Sequence, residues 1–375
     1  GMPSISRLLR LLVPGMLMAC GGDPTAPAPT PATPSPAPSP APPADVRALP
    51  FVHPAPGAEW PTVSPGALGW DTTALRAALD WAGTQRSTAV VITWRGRLVA
   101  ERYWRGWTGE TDSIIASAGK SVLATLIGQL QAEGRLSLDA PASQYLGAGW
   151  SRSPSTEGRI TVRHLLQMSS GLDDSLRTVA APGTRFYYNN PAYYQLFAVA
   201  VRASGQDITT ASRTRLFDRI GMTCSWRFNV DTGEPGFILS CSARDMARFG
   251  LLTLSRGAWG ATRIVADTSW VTQMWRPAPH DNPAYGMLWW LNGTERHRIP
   301  GPYLLPTLSG PLLPSAPRDL VAALGKGDKK IYVIPSLDLV VVRHGDEADV
   351  SGGNPLASST FDEQLWQRLR LAIRY

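Results

Sequence analysis

The chain has 375 residues, 43% of them apolar and 17% charged, a globular balance long enough to bury a sizeable core in one large domain or two ordinary ones. Its net charge of +7 and pI near 9.5 come from scattered arginines, with no basic run longer than Lys329-Lys330, so a nucleic-acid partner is not expected. His53, His164, His280, His297 and His344 are dispersed and no Cys/His set has metal-ligand spacing, so neither a metal nor a cofactor is expected.

The first twenty residues read as an export signal. Arg7 and Arg10 supply a positive start, residues 11–19 a short apolar run, and Leu17-Met18-Ala19-Cys20 resembles a bacterial lipobox. Nine apolar residues are too few to span a bilayer. The segment is therefore an address, leaving Cys20 as a lipidated N-terminus on the periplasmic face of a membrane, expected to be the outer one; an ordinary cleaved signal is the alternative. Residues 21–50 are an expected disordered linker, almost wholly Pro, Ala, Thr and Ser from Asp23 to Asp45. At about 3.1 Å per residue, roughly twenty such residues make a spacer on the order of 60 Å. The folded domain is expected over 51–375.

Asp71 is placed to cap a helix that runs to about Gly83. Two β-rich runs follow at 88–93 and 98–104, joined by Trp94-Arg95-Gly96-Arg97 as a hairpin. Residues 112–134 then carry the most informative pattern. Val122, Leu123, Leu126, Ile127 and Leu130 have the spacing of a one-sided helix starting near Ser117, and Gly134 is placed to end it. Residues three apart share a helix face, so the Lys120 amine reaches the Ser117 hydroxyl. A serine at a helix N-terminus also meets backbone N–H groups suited to a developing oxyanion.

A Ser-x-x-Lys string is common by chance, but composition sharpens this one. Only Lys120, Lys326, Lys329 and Lys330 among the 36 basic residues are lysine. Arginine stays protonated, whereas a desolvated lysine can lose its proton and act as a base, so Ser117 and Lys120 are candidates for a catalytic pair.

Beyond Gly134 the pattern predicts a turn and short helix over 136–146, and an amphipathic helix over 160–171 with His164 in a structural role. Further helices are predicted from Pro191 to about Ser204, over about 207–219, and from the Ser242-x-x-Asp245 cap to about Ser255. The last third is strand-like at 285–291, 320–324, 330–334 and 337–343, and closes with a helix over 360–373. An α/β (α+β) fold fits this order: an antiparallel sheet built from both chain ends, flanked by helices, with a mainly helical region inserted over about 115–265. Trp289 and Trp290 belong either to an acyl pocket or to the core. Cys224 and Cys241 are a possible disulfide whose loop would stabilise by about 3 kcal/mol; two buried thiols remain the other reading.

Two more motifs stand near the reactive helix in the expected fold. Tyr188-Asn189-Asn190 lies at a helix entrance, and Tyr187-x-Asn189 fits the same pattern; Tyr188 is preferred because Pro182-Gly183-Thr184-Arg185-Phe186 and Tyr193 then fall into register. The third is Gly325-Lys326-Gly327-Asp328-Lys329-Lys330, glycines at a strand where another backbone or a ligand must come close.

In this order the three motifs resemble the serine β-lactamase and penicillin-binding-protein superfamily, and most of all its class C-like branch of esterases, D-aminopeptidases and 6-aminohexanoate-oligomer hydrolases. Supporting phrases are Ile160-Thr161-Val162-Arg163-His164, Ala243-Arg244-Asp245-Met246 and Ile331-Tyr332-Val333-Ile334-Pro335. The resemblance implies a β-lactamase-like fold and a metal-free acyl-enzyme route to hydrolysis of an ester or amide. Ser117 would be the nucleophile, Lys120 its base, Tyr188 a proton relay and Asn190 an orienting group. Lys326 and Gly327 would border the substrate, and the Lys329 N–H would share the oxyanion with that of Ser117. The base role requires a largely uncharged Lys120, which burial and a nearby Lys326 would favour. Where the family shows Lys-Thr-Gly this chain has Lys326-Gly327-Asp328, an acid in place of a hydroxyl, which speaks against penicillin or D-Ala-D-Ala substrates. A D-Ala-D-Ala carboxypeptidase or β-lactamase is nevertheless the nearer alternative, and a non-catalytic penicillin- or peptidoglycan-recognising protein the more distant one. The expected partner is a small-molecule or peptide ester or amide, met by a monomer that touches the membrane only through its lipid anchor.

Overall fold

A computed structural model describes residues 45–229, 236–301, 305–350 and 357–375. The export signal, Cys20 and the linker up to residue 44 lie outside the described residues. Residues 45–50, read above as linker, are bound to the domain: the Arg95 guanidinium donates to the carbonyls of Arg47 and Leu49, and Arg97 to that of Pro50.

Helix α1 (Thr72–Thr84) starts where Asp71 accepts the Ala74 N–H at 2.9 Å, and it buries Leu75, Ala78, Leu79 and Ala82. Strands β1 (Ser87–Trp94) and β2 (Arg97–Tyr103) form the expected hairpin, and β3 (Asp112–Ile114) leads to a 3-10 turn (Ala116–Ala118) and helix α2 (Gly119–Ala132). Helices α3 (Val162–Leu166), α4 (Asn190–Ser204) and α5 (Ile208–Ser212) follow. Strands β4 (Ser225–Phe228) and β5 (Phe237–Ser242) come next, then helix α6 (Ala243–Leu254). The chain closes with β6 (Trp290–Leu291), β7 (Val321–Gly325), β8 (Lys329–Ile334), β9 (Leu339–Gly345) and helix α7 (Thr360–Ile373).

The main sheet runs β2-β1-β9-β8-β7-β6, wholly antiparallel, so strands from both ends of the chain meet where β1 pairs β9. Both faces are covered. Trp81 of α1 stacks on Phe361 of α7 at 5.4 Å, while on α6 any side chain at Gly250 would strike Val340 and Ile331. Residues of β1 and β9 are therefore buried throughout, which explains their unbroken apolar runs.

Three expectations change. The run 285–291 is strand only at Trp290–Leu291, because Leu288 takes a φ of 59° and the Gly286 N–H turns back onto the Trp289 carbonyl. The helix predicted over 160–171 is five residues long and is followed by Met168 at a φ of 55°. The region read as mainly helical also contributes β4 and β5 to a second sheet, β3-β5-β4, and Cys224, just before β4, is bonded to Cys241 on β5. His164 has the structural role expected of it, its Nδ1 accepting the Thr161 N–H in a capping box.

A fully buried ionic cluster fastens β8 to α7. Lys330 donates to Asp362 at 2.7 Å and to the Ala357 carbonyl at 3.0 Å, lies 3.3 Å from Asp328, and Tyr332 donates to Asp362 at 2.5 Å. Removing the Lys330 ammonium takes away the cation paired with both buried carboxylates. Lys330→Met is therefore expected to lower stability by about 3–5 kcal/mol in urea unfolding; a loss within about 0.5 kcal/mol would mean that these charges reach water.

Candidate active site

The reactive turn is held from both sides. The Ile115 N–H donates to the Leu239 carbonyl on β5 at 2.9 Å, and a Cβ on Gly119 would come within 2.9 Å of the Leu239 Cβ. On the other side, a Cβ on Gly325 of β7 would fall inside contact distance of the Ile115 carbonyl and 3.1 Å from the Ala118 nitrogen. Between these strands Ala116 is forced to a φ of 49°, unusual for a residue with a side chain, and Ser117 follows it. Residues 119–130 are all buried, so α2 cannot shift this turn without opening the core.

Within the turn Lys120 Nζ donates to Ser117 Oγ at 2.9 Å. Lys120 is 6% exposed, and its ammonium position lies 4.3 Å from the Tyr193 ring centre and 5.2 Å from that of Tyr188. The phenol of Tyr188 is hydrogen-bonded to Ser117. Burial pushes that phenol up, the Ser117 bond opposes this, and the result stays above its ordinary value. It is therefore uncharged at ordinary pH.

Two supports place Tyr188. Its ring lies nearly parallel to Trp290 at 6.0 Å and edge-on to Tyr285 at 6.3 Å. The next residue, Asn189, caps α4 by accepting the Ala192 N–H and donates to the carbonyls of Leu172 and Asp173, both at 2.9 Å. Tyr187, the other candidate in the sequence, instead faces outward and donates to Asp174 at 3.1 Å. Phe186, two residues before Tyr188, donates its N–H to Asp281, which also pairs with Arg298 at 3.0 Å.

A cavity of about 150 Å³ opens on the pair. Ala116, Ser117, Gly119 and Lys120 line it from the reactive turn; Asn190, Tyr193 and Tyr194 from α4; Trp226, Asn229 and Ile238 from the β4–β5 region; and Lys326 from the β7–β8 turn. Asn190 Oδ1 is buried without a hydrogen-bond partner, an acceptor open to a donor in this space. A larger cleft of about 600 Å³ beside Arg256, Trp275 and Arg318 includes neither Ser117 nor Lys120 in its lining, so size does not decide the site. Among the described residues no group of three or more His, Cys, Asp or Glu is placed to hold a metal.

The third motif is arranged differently from the sequence expectation. Lys326, Gly327 and Asp328 form the β7–β8 turn, with Lys326 exposed at the cavity and Gly327 at a φ of 77°. Asp328 does not stand beside the substrate. It is fully buried, accepting the Ala348 N–H at 2.9 Å and the Ser359 hydroxyl at 2.6 Å. Lys329 pairs across the hairpin with Gly325, so it belongs to β8, the strand behind β7, and its ammonium lies beside Gly327. On the β7 side the Ser117 turn meets Gly325. Trp289 and Trp290 are core residues, 0% and 2% exposed. The sequence reading missed Tyr193 as a neighbour of Lys120, although its place one helical turn after Asn190 is a usable signal.

Residues 75–344 match the family described as Beta-lactamase. The chain belongs to the beta-lactamase family. Within it, the 6-aminohexanoate-dimer hydrolase of Paenarthrobacter ureafaciens is 24% identical over 269 residues, 57% of this chain and 67% of that one. Among solved structures, a putative beta-lactamase from Bacteroides dorei superposes with a TM-score of 0.65 at 19% identity, covering 82% of this chain and all of its own. A putative 6-aminohexanoate-dimer hydrolase from Bacillus anthracis gives 0.63 at 18%, covering 85% and 88%. A D-alanine carboxypeptidase from Burkholderia cenocepacia gives 0.57 at 19%, covering 80% and 97%. These structures share the fold, and the named relatives are hydrolases.

The tight approach of β7 gives a direct check on this family member. Gly325→Ala forces backbone apart where no side chain can yield, and is expected to cost about 1–3 kcal/mol. It should also slow modification of Ser117 by a fluorophosphonate at least about tenfold. Wild-type reactivity in a folded Gly325→Ala protein would show that the strand does not set the turn.

Proposed function

We propose that this member of the beta-lactamase family is a serine hydrolase that cleaves an ester or amide through an acyl-enzyme. The observation that carries the reading is the 2.9 Å bond between Lys120 Nζ and Ser117 Oγ inside a buried turn that opens on a cavity. Lys120 takes the hydroxyl proton as Ser117 Oγ adds to the carbonyl carbon. The resulting oxyanion is held by the Ser117 N–H and by backbone of the β7 edge at Gly325, in place of the Lys329 N–H expected earlier. Collapse breaks the bond to the leaving alcohol or amine, which receives a proton through Tyr188, leaving the acyl group on Ser117. Water, giving its proton to Lys120 through Tyr188, then adds to the acyl carbon; collapse breaks the bond to Ser117 Oγ, which takes that proton back as the acid leaves. Asn190 orients the acyl chain, and Lys326 at the cavity mouth meets polar parts of the substrate.

The same proposal places the domain outside the cytoplasm on a lipid tether at Cys20. The Cys224–Cys241 bond, a feature of oxidising compartments, supports export, as does the character of residues 1–20.

A fluorophosphonate probe followed by peptide mass spectrometry is expected to modify Ser117 and to leave Ser117→Ala untouched, with turnover of p-nitrophenyl acetate by the wild type. Tyr188→Phe should lower kcat by about 10²- to 10⁴-fold while the probe still labels Ser117. A stable penicillin adduct at Ser117 without ester turnover would favour a penicillin-recognising peptidase, and absence of labelling a binding protein.

A further inference from the structure

The wall of the cavity contributed by the second sheet is built with more fixings than a core contact needs. Trp226 lines the cavity from β4 and is 8% exposed. Its indole Nε1 donates to Ser212 Oγ on α5 at 2.8 Å, and its ring meets Phe197 of α4 edge-on at 5.2 Å. Its strand is covalently tied two residues earlier, where Cys224 bonds Cys241 on β5. β5 in turn pairs with β3 immediately before the Ser117 turn, Ser113 opposite Cys241 and Ile114 opposite Ser240. The wall is therefore tied through β5 to the strand that leads into the Ser117 turn, and the indole cannot swing aside without breaking a buried hydrogen bond. Ile238, on β5, lines the same space.

We infer that Trp226 sets the length of acyl chain the enzyme accepts, restricting it to short acyl groups. The inference rests on the hydrolase reading above and deepens it. A chain methylene placed in an apolar pocket gains about 0.8 kcal/mol, roughly a fourfold factor in kcat/KM, for as long as the pocket has room. Where the indole stops the chain, each further methylene must instead distort the wall or stay in water. A cavity of about 150 Å³, bounded on its second-sheet side by an indole fixed at Ser212 and beside a disulfide, predicts that the gain ends early in a homologous series.

The test is kcat/KM for p-nitrophenyl esters from acetate to octanoate. The wild type should peak at a short chain. Trp226→Ala should raise the octanoate-to-acetate ratio at least about tenfold over wild type, corresponding to two or more newly accommodated methylenes at that fourfold factor. Ile238→Trp fills the same space from the other strand and should move the ratio in the opposite direction, which keeps the test decisive if Trp226→Ala does not fold. An unchanged ratio in a folded Trp226→Ala or Ile238→Trp protein overturns the inference while leaving the hydrolase reading in place. A wild type inert towards every ester and unlabelled at Ser117 by a fluorophosphonate overturns both, and that result is visible without any variant.

Discussion

The site depends on one constraint: a primary amine must stay within hydrogen-bonding reach of a serine hydroxyl inside the protein, with no freedom to turn to solvent. Lys120 meets it because it sits one turn after Ser117 on a helix whose residues 119–130 are wholly buried. The turn itself is squeezed between Leu239 on β5 and Gly325 on β7, and the unusual conformation of Ala116 is the local cost of that squeeze. Two sheets thus converge on three residues. One brings the backbone of Gly325 against the turn, the other brings Trp226 and Ile238 to the wall of the cavity.

The phenol is supplied by a separate piece of chain, and its placement is mainly aromatic. Trp290 and Tyr285 hold the Tyr188 ring, Asn189 locks the following helix start, and Asp281 fixes the approach through the Phe186 N–H. None of these residues touches the cavity. Behind β7, Arg343 donates to the carbonyls of Gly327, Asp328, Asp346 and Gln85, and the Lys330 cluster joins β8 to α7. Buried ion pairs of this kind offset their own desolvation only when every charge is satisfied. Here they hold the turn that brings Lys326 to the cavity, so the charged residues of the third motif are divided between cavity and scaffold.

Features set by local spacing were readable before any coordinates. The Asp71 and Ser242 caps, the Ser117–Lys120 spacing and the apolar runs of β7, β8 and β9 each depend on a few neighbouring residues. The sheet assembled from both chain ends also followed, because only that arrangement pairs an early hairpin with late strands. What was lost depends on distant partners or on one dihedral angle. β3 is three residues long and its partner Ser240 lies 128 residues from Asp112, so no window of sequence shows the second sheet. Asp328 reads as an acid beside the substrate until its φ of 58° turns it inward, and Lys329 reads as an oxyanion donor until the register sets it opposite Gly325. Motif register favours Tyr188 over Tyr187, and in the structure Tyr187 runs outward to Asp174.

The proposal that the primary amine at position 120 activates Ser117 is tested most directly by side-chain replacement followed by chemical restoration. Lys120→Cys and Lys120→Arg proteins should react with a fluorophosphonate at Ser117 about two orders of magnitude more slowly than wild type, since neither side chain supplies an amine base. Aminoethylation of the new thiol, which rebuilds a primary amine of nearly the same reach, should then restore most of the rate. A Lys120→Arg protein reacting as fast as wild type, or an aminoethylated protein no faster than its Lys120→Cys parent, would contradict the account.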